Sequence, residues 1–205
     1  MAMVGSLSIN LLQPLQTLKN FKQAGIKPSY KIPTLYRGYW GMCFIDIGTI
    51  SVYNVINYEI SNQYSTLYKS ILSGIISTPL VTVGEYLVIN KQISAQYKFK
   101  NMFTTKSTLL TLGREIQFPV FLFYVSPIID SYIKNTIISG YLSGFICGLT
   151  TNPFDRYKTL SQSNNSYISN SNIIKNLFVG SIHRANYIGL SLSMLNYINS
   201  FRTNK

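Results

Sequence analysis

Acidic residues are the scarcest chemistry in this sequence: six Asp and Glu stand against eighteen Lys and Arg in 205 residues. Charged residues of both signs make up only 12% of the chain, about half the fraction usual in a soluble domain. Four of the six acids, Asp46, Glu85, Glu115 and Asp155, lie in or beside apolar stretches. Water-facing loops are left with almost none, which argues against an ordinary soluble fold. The single histidine, His183, has no clustered partner, which argues against a metal site or a catalytic triad. Cys43 and Cys147 sit singly in apolar runs without C-x-x-C spacing, so they are expected to be small buried hydrophobes. No charged segment precedes the first apolar stretch, so no cleavable secretion signal is expected. The chain is expected to be no enzyme, with no catalytic residue, no metal and no cofactor.

The formal charge of +12 invites a nucleic-acid reading. The bases form no stripe, however, and gather in polar segments between apolar ones, so no nucleic-acid partner is expected. What the sequence has in quantity is apolar surface, with 46% hydrophobic residues. Six apolar segments can be drawn, roughly Met1–Phe21, Gly38–Tyr58, Leu67–Ile89, Thr108–Ile129, Thr136–Leu160 and Leu177–Ser200. Each approaches the ~20 residues that a helix needs to cross the hydrocarbon core. All are diluted with Ser, Thr, Asn, Tyr and Gly, and polar residues inside a membrane normally face protein or water. The fold expected is therefore an all-α membrane protein, six transmembrane helices around a central wet cavity.

Landmarks recur along the chain. Pro14, Pro79 and Pro153 each fall late in an odd-numbered segment and are expected to kink it. Asp46, Glu115 and Ile188 occupy equivalent points in the even-numbered ones. One unit, a helix with a proline, a loop and a second helix, thus occurs three times, as repeats 1–65, 66–135 and 136–205 of a single domain 1–205. The loops after segments one, three and five hold twelve of the eighteen Lys and Arg, which predicts that they share the cation-retaining face.

The end of segment five, "PFDRYKTLSQ" (Pro153 to Gln162), places Asp155, Lys158 and Gln162 on one helical face. A charge facing lipid is costly, so that face is expected to turn toward the bundle axis and pair with neighbouring helices. Three bent helices converging on ion pairs make a gate. This stretch resembles the P-x-[DE]-x-x-[KR] signature of the mitochondrial carrier family, and Pro14-Leu-Gln16-Thr-Leu-Lys19-Asn-Phe-Lys22-Gln23 looks like its first-repeat copy. "LYRG" (Leu35 to Gly38) and "LFVG" (Leu177 to Gly180) resemble the family's entry into even-numbered helices. "GYLSGFICG", with Gly140, Gly144 and Gly148, looks like its glycine-rich packing face. The resemblance runs over the whole chain in three units.

The resemblance implies a matrix-side gate in which Asp155 pairs with Lys19, supported by Gln23 and Gln162. Repeat two, Pro79-Leu-Val81-Thr-Val-Gly84, lacks both acid and base. Lys158 thereby loses its usual partner, and Glu85, one turn below Val81, is the expected substitute. Glu59, Asp130 and Lys134 look like remnants of the opposite gate. The loop between Gln23 and Leu35 is shorter than the family's usual helix-bearing one.

"LGREIQFP" (Leu112 to Pro119) sets Arg114 and Glu115 inside an apolar segment, a default functional candidate. In the family the equivalent pair contacts substrate. An Arg–acid pair there resembles carriers of amino-acid-like solutes, carnitine or S-adenosylmethionine. Glu115 would meet an ammonium or sulfonium while Arg114 clamps a carboxylate. Asp46 is a further polar contact, and Tyr187 would stack on a flat solute; their plainer roles are a capped kink and bundle packing. The resemblance thus implies a monomeric, multi-pass antiporter of the mitochondrial inner membrane, whose partners are a small-molecule solute and the bilayer. The alternatives are a nucleotide or carboxylate carrier of the same fold, or a reduced, non-transporting relative acting as a membrane adaptor.

Overall fold

The apolar segments fold as helices, and no strand occurs among the described residues. The structure, a computed structural model, describes residues 2–25, 27, 29–60, 63–93, 105–162 and 178–203. In chain order the helices are α1 (Ala2–Asn10), α2 (Gln13–Ala24), the single turn α3 (Ile32–Leu35), α4 (Tyr39–Asn54), α5 (Thr66–Ile93), α6 (Thr105–Val120), α7 (Ser126–Ile133), α8 (Thr136–Gln162) and α9 (Ser181–Thr203). Two π-helical segments intervene, Val55–Glu59 after α4 and Phe121–Val125 between α6 and α7.

The three prolines do not act alike. Pro79 and Pro153 lie inside α5 and α8, as expected of kinks. Just before each, two hydroxyls return to one carbonyl: Ser77 and Thr78 donate to Gly74 O, Thr150 and Thr151 to Cys147 O. Such back-bonding eases a bend. Pro14 instead occupies the first turn of α2, after a break at Leu11 and Leu12. The first apolar segment is therefore two helices rather than one kinked helix, because a first-turn proline forfeits no intrahelical bond. Gly38 and Gly180 stand immediately before α4 and α9 with φ of 88° and 79°. Only glycine adopts that left-handed backbone at little cost, which explains why both "LYRG" and the described part of "LFVG" end on it. The short loop before α4 does carry a helix, the one-turn α3.

Consecutive long helices are neighbours, and the last closes on the first: α1 packs on α4, α4 on α5, α5 on α6, α6 on α8, α8 on α9, and α9 on α1 and α2. The closest approaches run through glycine. A Cβ at Gly140, Gly144 or Gly148 would stand 2.9, 2.6 or 2.5 Å from backbone atoms of α9, and one at Gly74 would meet Glu115 O of α6 at 2.5 Å.

The ring is apolar outside and polar within. On α5, Ile75, Ile76, Leu80 and Leu87 are exposed while Ser70, Ser73 and Ser77 are wholly buried. On α8, Ile137, Ile138, Leu142 and Ile146 are exposed while Ser139 and Ser143 are buried. This inverts the usual amphipathic plan, in which the apolar stripe faces the core. By length and composition, Thr66–Gln92 and Thr108–Ile133 qualify as membrane-crossing helices, with mean hydropathy of 1.5 and 1.3. Only 17% of the apolar window in the second is buried, so its greasy surface does not serve as a protein core.

Candidate functional site

Five helices bring seven ionisable side chains to one buried cluster. Lys19 comes from α2, Glu85 from α5, Arg114 and Glu115 from α6, Asp155 and Lys158 from α8, and Arg184 from α9. Asp155, only 1% exposed, accepts three cations: Lys19 Nζ at 2.7 Å, Arg114 Nη1 at 2.8 Å and Arg184 Nη1 at 3.1 Å. Arg114 in turn meets Glu85 Oε2 at 2.7 Å and Glu115 Oε1 at 2.5 Å, while Lys158 pairs with Glu85. Threonine and tyrosine hydroxyls complete the shell: Arg184 Nε donates to Thr151 Oγ1 at 3.1 Å, and Tyr53 Oη to Glu115 Oε2 at 3.0 Å.

Four cations here face three carboxylates. The fourth carboxylate, Asp46 of α4, lies on the wall of the same chamber, where Asn10 Nδ2 donates to it at 2.8 Å. A buried charge is tolerable only when paired and hydrogen-bonded. That the chain keeps so many together marks the cluster as the candidate site.

Beside the cluster lies a chamber of about 80 Å³, lined also by Gln16, Thr49, Tyr53, Phe118 and Tyr187. Gln16 and Thr49 each keep a buried oxygen without a protein hydrogen-bond partner. Those oxygens give water a foothold in a chamber whose walls are otherwise largely apolar, but its volume falls far below the roughly 300 Å³ at which sites for organic ligands begin. The central wet cavity expected from the sequence is therefore narrow at this level of the ring. The space is taken by the charged side chains themselves and by an apolar cluster of Ile50, Leu122, Ile188, Leu192 and Leu195. Tyr53 stacks on Phe118, with ring centroids 5.9 Å apart, on the chamber wall.

A second cavity, of about 450 Å³, opens at the other end of the ring. It is lined by the starts of α5 and α8 (Thr66, Lys69, Thr136, Ser139) and the ends of the partner arms (Asn57, Asp130, Asn196, Asn199). Leu122 belongs both to its wall and to the apolar cluster, so a greasy septum separates the vestibule from the charged chamber. No protein-family model matches the chain, and no curated protein matches it. What the site does is read from its own chemistry.

Several expected groupings change. Arg114 and Glu115 do not stand apart from the residues expected of a matrix-side gate. Arg114 bridges Glu85, Glu115 and Asp155 and so shares one cluster with them, because its long side chain and forked donors serve several carboxylates at once. Gln23, wholly buried, donates to Asn152 Oδ1 at 3.2 Å. The side chain of Gln162 lies outside the described residues. At the other end Glu59 closes a π segment and is exposed, and Lys134 is an exposed left-handed cap to α7. Asp130 alone of the three lines the vestibule. Sequence reasoning missed Arg184, Tyr53 and Lys69. For Arg184 and Lys69 the signal was present, since each is a lone base embedded in or beside an apolar run.

The Lys158–Glu85 pair gives a direct test. Lys158→Glu is expected to lower the melting temperature of the detergent-purified protein by setting two carboxylates together. Adding Glu85→Lys recovers part of that loss, but not all, because position 85 also faces Arg114. A double variant that melts no higher than the single one shows that the two positions are not coupled.

Proposed function

We propose that this protein is a transporter of the mitochondrial carrier type, with six membrane-spanning helices in three repeats, exchanging a small zwitterionic or cationic metabolite by alternating access. The observation that carries the reading is the inverted distribution of side chains around a closed helical ring. Apolar residues cover the outside and ionisable ones face the axis, as a bilayer requires and water does not. The positive-φ glycines before α4 and α9 and the prolines inside α5 and α8 support the repeat.

In this reading the structure is a state closed at the charged end and open at the vestibule. Solute entering from the vestibule parts the apolar septum and reaches the Arg114–Glu115 pair. A carboxylate on the solute competes for Arg114, and an ammonium or sulfonium competes for Glu115 or Asp46. Because Arg114 also holds Glu85 and Asp155, drawing it to the solute loosens the pairs that shut the far end. Binding and gate opening are then one event, a population shift driven by differential contacts.

The test is uptake into proteoliposomes across a panel of metabolites. Exchange of amino-acid-like solutes is expected, and Glu115→Gln lowers it at least tenfold for solutes bearing a cation. Strong nucleotide exchange unaffected by Glu115→Gln would overturn the amino-acid version and favour a nucleotide carrier. One observation favours a second reading, a non-transporting membrane adaptor: the chamber is filled by the protein's own charges and side chains. Intact membrane insertion with no exchange of any solute decides for it.

A further inference from the structure

The vestibule contains two opposite charges that have no ion-pair partner among the described residues. Lys69, 5% exposed, rests its Nζ on the Asn57 carbonyl at 3.1 Å. Among the described residues no carboxylate lies within ion-pair distance of it. The carbonyl occupies one of three ammonium hydrogens. Across the ring, Asp130 accepts from two hydroxyls, Ser139 Oγ at 3.1 Å on Oδ1 and Thr136 Oγ1 at 3.4 Å on Oδ2, and from no base among the described residues. Both side chains line the same cavity of about 450 Å³, together with the Asn196 and Asn199 amides.

That arrangement is costly unless a ligand uses it. An uncompensated ammonium in a buried site costs several kcal/mol. The buried bases of the charged cluster, Lys19, Arg114, Lys158 and Arg184, all have carboxylate partners, whereas Arg156, also buried, has none among the described residues and lines neither cavity. The volume is in the range of small-molecule sites, roughly 300–1,000 Å³. We infer that the vestibule is a binding site for a zwitterion of α-amino-acid type, whose carboxylate meets Lys69 and whose ammonium meets Asp130. This deepens the transporter reading and rests on it only for what happens next: the site is a first station, separated from the charged chamber by the septum at Leu122. A purely anionic ligand would leave Asp130 opposed, and a purely cationic one would leave Lys69 opposed.

The experiment is thermal-shift titration of the detergent-purified full chain with a panel of free α-amino acids, each compared with its N-acetyl and methyl-ester forms. At least one free amino acid is expected to raise the melting temperature with concentration, and masking either end weakens it at least tenfold. Lys69→Gln removes the preference for the free carboxylate, and Asp130→Asn removes the preference for the free amine. Equal stabilisation by free and masked forms overturns the site, as does no stabilisation by any zwitterion. Preferences unchanged in both variants also overturn it. The masked-ligand comparison on the unmodified chain decides the matter even where a variant fails to fold. Flux in proteoliposomes separates the two claims. Binding without flux refutes the transporter and leaves the site standing. Flux together with unchanged preferences in both variants refutes the site and leaves the transporter standing.

Discussion

Asp155→Asn is expected to cost about 3–5 kcal/mol, the usual penalty for breaking a buried ion pair from one side, or to abolish the folded protein. The carboxylate lies between Lys19, Arg114 and Arg184. Asparagine keeps the shape and removes the charge, so Lys19 and Arg184 lose the only carboxylate they have among the described residues. Arg114 keeps Glu85 and Glu115. Thermal melting in detergent, with size-exclusion chromatography to confirm monodispersity, reads the effect. Adding Lys19→Met to the variant recovers part of the loss, because one orphaned ammonium is exchanged for an apolar chain of similar length. A parental melting temperature for Asp155→Asn would mean that the three cations do not converge on this residue in the folded protein.

Gly148→Val is the second large effect, and it is steric rather than electrostatic. A Cβ at Gly148 would stand 2.5 Å from the Ala185 Cα and 3.0 Å from its nitrogen. Backbone cannot rotate away as a side chain can, so α8 and α9 must separate. The expected loss is about 3 kcal/mol, the upper end of overpacking penalties. Gly113→Ala is the comparison. Its Cβ would meet the Phe154 ring at 3.1 Å, a side chain able to shift, so its melting temperature falls much less. Equal losses in the two variants would show that glycine does not set the α8–α9 distance. Moving α9 also withdraws Arg184 from Asp155, so on the proposed transporter reading exchange falls with stability.

Much of the helical framework was legible in the sequence because it follows from local rules. Apolar runs between polar segments marked the helices, and glycines at every fourth place in "GYLSGFICG" marked the face that touches α9. Lone charges in apolar runs said which side chains must turn inward, whichever neighbours received them. The pairings of Lys19 with Asp155, and of Lys158 with Glu85 in place of the acid missing at Val81, both implied by family resemblance, are present in the structure. The π segment Phe121–Val125 was not legible, since it records a change of hydrogen-bond register that no residue pattern announces, although Pro119 stands just before it. Pro14 was misjudged as a kink because a proline reads the same way in a helix interior and in a first turn.

What the sequence by itself determined is the set of charges that had to be buried and the faces they occupy, because a bilayer-like exterior leaves an ionisable group nowhere else to go. Which charge meets which was decided by the closed ring. Arg114 reaches three carboxylates from two neighbouring helices and its own, Arg184 joins from α9, and Lys69 and Asp130 come to line one cavity. Those outcomes depend on distances between helices far apart in the chain, set by glycine contacts and apolar packing. A side chain's reach, unlike its face, is fixed only when its neighbours are in place.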